Sequence, residues 1–154
     1  YENGLNFQCQ RCSHCCKGCQ NPLTWDPDGG LLFDEAAKQE IFEQLDKNYI
    51  SGITFSGGDP LHSANRFDVK SLMIEIKEKY PDKTIWLYTG DVWEHIHHYP
   101  MMKYIDVLVD GEFILEERDV KLRWKGSKNQ RVIDVQKTLK QTDPIIPILH
   151  CPEY

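Results

Sequence analysis

Gly52-Ile-Thr-Phe-Ser-Gly-Gly-Asp-Pro60 is the stretch on which the fold turns. Its first five residues form a short apolar run with β-branched and aromatic side chains, which reads as a buried strand. Gly57-Gly58-Asp59-Pro60 then ends it with a strong turn signal. A helix over residues 67–80 follows, with Val69, Leu72, Met73 and Ile76 spaced along one face and Pro81 closing it. Thr84-Ile-Trp-Leu-Tyr-Thr89 is almost continuously β-branched and aromatic, as expected for a strand covered on both faces, and Gly90 stops it. Helical residues around 92–98 come next, then a third strand over 104–109 ending at Asp110-Gly111. Strand, helix, strand, helix, strand predicts right-handed βαβ units and a mostly parallel sheet, hence an α/β fold.

Upstream, residues 34–47 place Ala37, Ile41, Phe42 and Leu45 on one helical face, with Asp34 as N-cap. In parallel sheets function collects at the carboxyl ends of strands. Here those ends carry Gly57-Gly58-Asp59, Thr89-Gly90-Asp91 and Asp110-Gly111. No internal repeat or low-complexity segment interrupts the pattern. Beyond Gln141 the prolines Pro144, Pro147 and Pro152 limit residues 145–149 to an edge strand at best.

Composition narrows the function classes. The chain has 154 residues, 40% hydrophobic and 27% charged, which suits one globular domain over residues 1–154. A net charge of −6 argues against wholesale nucleic-acid binding. No apolar run is long enough to span a bilayer and no signal-peptide core stands near Tyr1, so a cytoplasmic location and reduced thiols are expected. A core of this size needs no disulfide staples.

Five of the six cysteines fall in Cys9-Gln-Arg-Cys12-Ser-His-Cys15-Cys16-Lys-Gly-Cys19, inside a loop over residues 9–22. Thiolates this dense bind a metal or cluster, form disulfides or do redox chemistry. Two frames fit iron. Cys12, Cys16 and Cys19 give C-x3-C-x2-C, three thiolates that leave one iron of a four-iron cluster open to another ligand. Cys9, Cys12, Cys15 and Cys19 give the C-x2-C-x2-C-x3-C of a ferredoxin run, a closed site for electron transfer. That frame lacks a proline directly after Cys19 and a second run elsewhere. A third frame pairs Cys9 with Cys12 and Cys16 with Cys19 around structural zinc.

C-x3-C-x2-C resembles the signature of radical S-adenosylmethionine (radical SAM) enzymes. Cys12-Ser-His-Cys-Cys-Lys-Gly-Cys-Gln-Asn-Pro22 followed by Thr24-Trp25 is similar to the cluster loop of the anaerobic (class III) ribonucleotide reductase activating proteins. Ile53-Thr-Phe-Ser-Gly-Gly-Asp-Pro-Leu61, Ile85-Trp-Leu-Tyr-Thr-Gly90 and Asp106-Val-Leu-Val-Asp-Gly111 resemble that family's next three motifs. Leu122-Arg-Trp-Lys-Gly-Ser-Lys-Asn-Gln-Arg-Val-Ile-Asp134 resembles its C-terminal signature. The resemblance runs in order over most of the chain, from about Cys12 to Leu139.

What the resemblance implies is an incomplete (β/α) barrel of the radical SAM type. Cys12, Cys16 and Cys19 would hold a [4Fe-4S] cluster, and S-adenosylmethionine would chelate the open iron. An electron from a flavodoxin-type donor would cleave the sulfonium to a 5′-deoxyadenosyl radical. That radical would take hydrogen from a glycine of the large subunit of anaerobic ribonucleotide reductase. Gly18, Cys19 and Gln20 would line the adenine side through their backbones. Gly57 and Gly58 would let the chain approach the methionyl amino group closely. Thr89 and Asp110 are the further candidates for cofactor contact. Rival readings are an activase of another glycyl radical enzyme and a non-catalytic zinc or ferredoxin-like binding protein. Family members carry a longer apolar strand before the first cysteine, whereas Asn6-Phe-Gln-Cys-Gln10 is short and polar, so a degraded, displaced or missing first strand is expected.

The remaining conspicuous residues read more plainly. Arg118, Lys121, Arg123, Lys125, Lys128 and Arg131 form a basic run, either a solvated segment or, on the resemblance, a surface for the reductase or an anionic group. His95 and His97 point apart at helical spacing, which disfavours metal ligation with His98. Trp25, Trp86, Trp93 and Trp124 are expected to pack, and Cys151 to be a packed thiol.

Overall fold

The structure, a computed structural model, describes residues 4–9, 35–57, 60–61, 66–122, 124–143 and 146–150. In chain order the strands and helices are β1 (Gly4–Cys9), α1 (Glu35–Leu45), β2 (Gly52–Gly57), α2 (Arg66–Lys79), β3 (Thr84–Tyr88), α3 (Trp93–Ile96), β4 (Val107–Asp110), β5 (Arg131–Asp134) and α4 (Val135–Leu139). The strands make one mixed sheet in the order β1-β2-β3-β4-β5, open between its first and last strand. The first three pairings are parallel and the last is antiparallel. The fold is therefore α/β.

Strand alternation sorts the side chains onto two faces. Ile53 and Phe55 of β2, Ile85 and Leu87 of β3, Leu108 of β4 and Ile133 of β5 share one core with residues of all four helices. In α2 that core takes Val69, Leu72, Met73 and Ile76, the stripe expected from the spacing. Burying each such side chain contributes roughly 1.5–3 kcal/mol, several times what helix propensity supplies per residue. Packing therefore sets where this helix lies. Trp86, Val107, Val109 and Val132 form a second cluster on the opposite face, with Tyr88 and Trp124 packed against it. We call that side the inner face.

Polar staples close the amino end of the sheet. Asp106 Oδ2 accepts from Ile85 N at 2.8 Å and from Lys77 Nζ at 2.9 Å. Tyr80 donates to the Phe42 carbonyl at 3.1 Å, and Lys83 Nζ donates to the carbonyls of Lys47 and Ile50. These contacts join α2, β3 and the α1–β2 connection.

Several expectations shift against this frame. Gly4–Cys9 is a regular strand, paired with β2 over six residues. Its polar composition misled because a strand's ladder bonds are made by backbone, which is indifferent to side-chain polarity. The third strand starts at Val107 rather than at residue 104. Pro100–Tyr104 is instead a 3-10 turn that buries Met101 and Met102. The helix around 92–98 shrinks to Trp93–Ile96, a single turn without a side-chain cap, halted before Pro100. Strand β5 had been hidden in the basic run: Arg131–Asp134 buries Val132 and Ile133. Residues near 149 pair with β5 only through a bridge between Leu149 and Ile133, in line with an edge at best. Asp34, Trp25 and Cys151 lie outside the described residues.

Candidate functional site

Parallel register places one end of each motif on a common rim. At the carboxyl end of β1, Cys9 stands opposite Gly57 of β2. Phe55 pairs with Leu87, and Tyr88 pairs with Val109. Thr89 N donates to the Val109 carbonyl at 3.0 Å, and Asp110 stands opposite Arg131. Cys9, the first of the clustered cysteines, thus stands beside Gly57. Cys12, Cys16, Gly18, Cys19, Gln20 and Gly58 themselves lie outside the described residues, as does Cys15.

Thr89 and Asp110, the two described candidates with side chains, brace this rim. Thr89 is buried, and its Oγ1 accepts from Asp91 N at 3.1 Å, which folds the Thr89-Gly90-Asp91 turn onto itself. Asp110 is 1% exposed. Its Oδ1 accepts from Arg131 N at 3.2 Å and Arg131 Nε at 3.1 Å. Its Oδ2 accepts from Arg131 Nη2 and from Trp93 N at 2.9 Å. Four bonds occupy the acceptor positions of one carboxylate. A part for Asp110 at the rim therefore runs through what it holds: the first turn of α3 and the start of β5.

Arg131 also forks onto Glu94, with Nη2 at 2.7 and 2.9 Å from the two carboxylate oxygens. Burial pushes Glu94 upward, but the Arg131 bond and charge outweigh it and leave the carboxyl below its ordinary range. The Asp110 hydrogen bond, ahead of the opposing burial, raises the Arg131 guanidinium above its already high value. Arg131 is thus an internal clamp rather than a free member of the basic run.

Much of the C-terminal signature also serves structure. Ser127 is buried; its hydroxyl accepts from Ile114 N at 3.3 Å and lies 2.6 Å from Asn129 Oδ1. Asn129 Nδ2 donates to the Glu112 carbonyl, and Gln130 Nε2 donates to the Gly111 carbonyl. Gln130 Oε1 accepts from both Gly126 N and Ser127 N. Gly126 packs closely on Phe113: a Cβ there would lie 3.2 Å from the ring, which would have to give by a few tenths of an ångström. Lys125 Nζ is turned to the Gln130 carbonyl at 2.9 Å. These residues fasten the excursion over residues 112–130 to the end of β4. Spacing alone could not separate that role from partner binding.

The inner face carries an aromatic group. Trp86 and Trp124 meet edge to face with centroids 5.3 Å apart, and His150 packs on both at 5.4 and 5.3 Å. Trp124 adopts φ 69°, a left-handed conformation that costs a bulky residue on the order of 1–2 kcal/mol, against which these ring contacts act. Trp86, Trp93 and Trp124 therefore pack, as expected. Tyr88 continues this face toward the rim, and burial pushes its hydroxyl up to about 12. The sequence reading passed over Tyr88, although alternation from Trp86 already put it on the same side.

His97 packs on the Trp93 ring at 6.0 Å and His98 on Tyr99 at 4.9 Å. Among the described residues no group of three or more His, Cys, Asp or Glu is placed to hold a metal ion. No helix among them is long and apolar enough to cross a membrane.

The family described as the 4Fe-4S single cluster domain matches residues 5–133. Curated relatives carry the name anaerobic ribonucleoside-triphosphate reductase-activating protein. The one from Enterobacteria phage T4 is 42% identical over 121 residues, covering 79% of this chain and 77% of that one. The Haemophilus influenzae protein is 42% identical over 136 residues, covering 83% and 88%. The Escherichia coli K12 protein is 39% identical over 138 residues, covering 84% and 90%. No solved structure matches the chain at a significant level. With such identity sustained along most of both chains and the cluster-domain match spanning β1 to β5, this chain belongs to the family of anaerobic ribonucleoside-triphosphate reductase-activating proteins.

Proposed function

We propose that the chain is a radical SAM activase, a single domain over residues 1–154 whose open sheet is an incomplete (β/α) barrel. The observation that carries this reading is the register of β1 on β2. It starts the cysteine loop at Cys9, beside Gly57, on the rim that also bears Thr89 and Asp110. The donor set suits the group: Cys12, Cys16 and Cys19 offer three soft thiolates, and a four-iron cluster held by three keeps one iron open. Gly18, Cys19 and Gln20 are proposed to line the adenine of S-adenosylmethionine, and Gly57 and Gly58 to admit its methionyl amino group. Thr89 and Asp110 complete the cofactor rim, Asp110 by bracing the turn.

When bound, the [4Fe-4S] cluster supplies the low-potential electron for sulfonium cleavage and so for hydrogen abstraction from glycine. The chain's own task is to fix the cofactor on the rim and to shield it from competing reactions. Among the described residues the four helices pack on the opposite face, so the inner face is the proposed surface on which this happens. The names of the relatives support an anaerobic ribonucleoside-triphosphate reductase as partner over another glycyl radical enzyme, and its large subunit is the proposed target. The cluster-domain match supports iron over zinc. A flavodoxin-type protein in the cytoplasm is the proposed electron source.

Mixing the reduced, cluster-loaded protein with S-adenosylmethionine and that reductase under anaerobic conditions should yield a glycyl radical signal by electron paramagnetic resonance. Cofactor cleavage without a radical on the reductase would reassign the partner.

A further inference from the structure

Tyr88 sits at the carboxyl end of β3 with its ring packed on the inner-face cluster of Trp86, Val109 and Val132. Its hydroxyl has no hydrogen-bond partner among the described residues. Tyr88 is half-buried, and a tyrosine hydroxyl largely removed from water ordinarily finds one. Burial pushes the hydroxyl up to about 12, so at neutral pH the group is a protonated donor. Among the described residues it lacks an acceptor.

The surroundings narrow what that acceptor is. Lys125 donates to the Gln130 carbonyl, and Arg131 is engaged by Asp110 and Glu94. Neither cation, then, is left to answer an anionic ligand here. The β2–β3 register, with Phe55 opposite Leu87, sets Tyr88 next to Ser56, one residue before Gly57. Neighbouring strands lie about 4.8 Å apart. A ligand whose amino group meets Gly57 carries its carboxylate on the same carbon, within reach of the next strand.

We infer that the Tyr88 hydroxyl donates a hydrogen bond to the methionyl carboxylate of S-adenosylmethionine. This rests on the radical SAM reading and adds to it a specific binding residue on β3. An ionised acceptor makes such a bond about twice as strong as a neutral one.

The test is equilibrium binding to anaerobically reconstituted protein without reductant, comparing wild type with Tyr88→Phe. Two probes are used: S-adenosylmethionine and its decarboxylated analogue, which keeps the adenosine, sulfonium and amine. Tyr88→Phe should weaken S-adenosylmethionine about ten- to a hundredfold. It should leave the analogue's affinity, the iron content and the melting temperature unchanged. No loss for S-adenosylmethionine overturns the inference, and so does an equal loss for both probes. A lowered melting temperature with unchanged binding would place the acceptor within the chain, which also overturns it. If the cluster-loaded wild type binds neither probe, the radical SAM reading fails as a whole, an outcome separate from failure of Tyr88 alone.

Discussion

Cys16→Ala is expected to abolish reductive cleavage of S-adenosylmethionine, while Cys15→Ala retains most of it. The two cysteines are adjacent in sequence, so the pair separates the two iron frames. In the C-x3-C-x2-C frame Cys16 is one of three thiolates on the cluster and Cys15 is a bystander. In the ferredoxin frame the roles reverse. Losing even a hydrogen-bond partner of a metal ligand commonly costs 10–100-fold, so loss of the ligand itself should exceed about a hundredfold. Iron per chain should fall with Cys16→Ala and hold with Cys15→Ala. Equal loss of cleavage from both exchanges would sink the assignment of Cys12, Cys16 and Cys19.

Asp110→Ala should lower stability by about 3 kcal/mol, the larger of the two effects expected at the Arg131 clamp. The exchange strips Trp93 N of its acceptor and takes a fully buried anion from a half-buried guanidinium. Removing one partner of a buried pair costs roughly 3–5 kcal/mol. Here Arg131 keeps Glu94 and some solvent, which places the cost at the lower end. For a domain of this size that is a fall of about 6–12 °C in melting temperature. Glu94→Gln, at the exposed end of the same fork, should cost under about 1 kcal/mol. The folded-state depression of Glu94 gives the sign with pH: its contribution is present at neutral pH and is lost as pH falls through the acid range. Thermal denaturation of the three proteins side by side checks this. An Asp110→Ala melting temperature within 2 °C of wild type would show that the clamp does not hold α3 and β5 in place.

Apolar spacing made the parallel half of the sheet legible. Ile53 and Phe55 in β2, Ile85 and Leu87 in β3, and the stripe Val69, Leu72, Met73 and Ile76 in α2 all face the core that their periods imply. Legibility failed where backbone or tertiary pairing, rather than side-chain pattern, makes the element. Strand β1 is held by ladder bonds to β2 despite Asn6 and Gln8. Strand β5 spans four residues, too few for a period, and it opens on an arginine that looked like surface charge until Asp110 was seen opposite it. The site divides in the same way. The polar turn after β3 was readable because turns need particular residues, as Thr89 shows by accepting from Asp91 N. That Ser127, Asn129 and Gln130 spend their side chains on local carbonyls and amides was not, since those bonds form only once the excursion over residues 112–130 has folded back on Gly111.

The central claim is that this rim holds a cluster with one iron open to S-adenosylmethionine. Its most direct test is to reconstitute the protein anaerobically, add S-adenosylmethionine and dithionite, and assay 5′-deoxyadenosine alongside iron and zinc. Formation of 5′-deoxyadenosine with about four irons per chain is the predicted result. Bound zinc, or a cluster that leaves the cofactor intact, would contradict it.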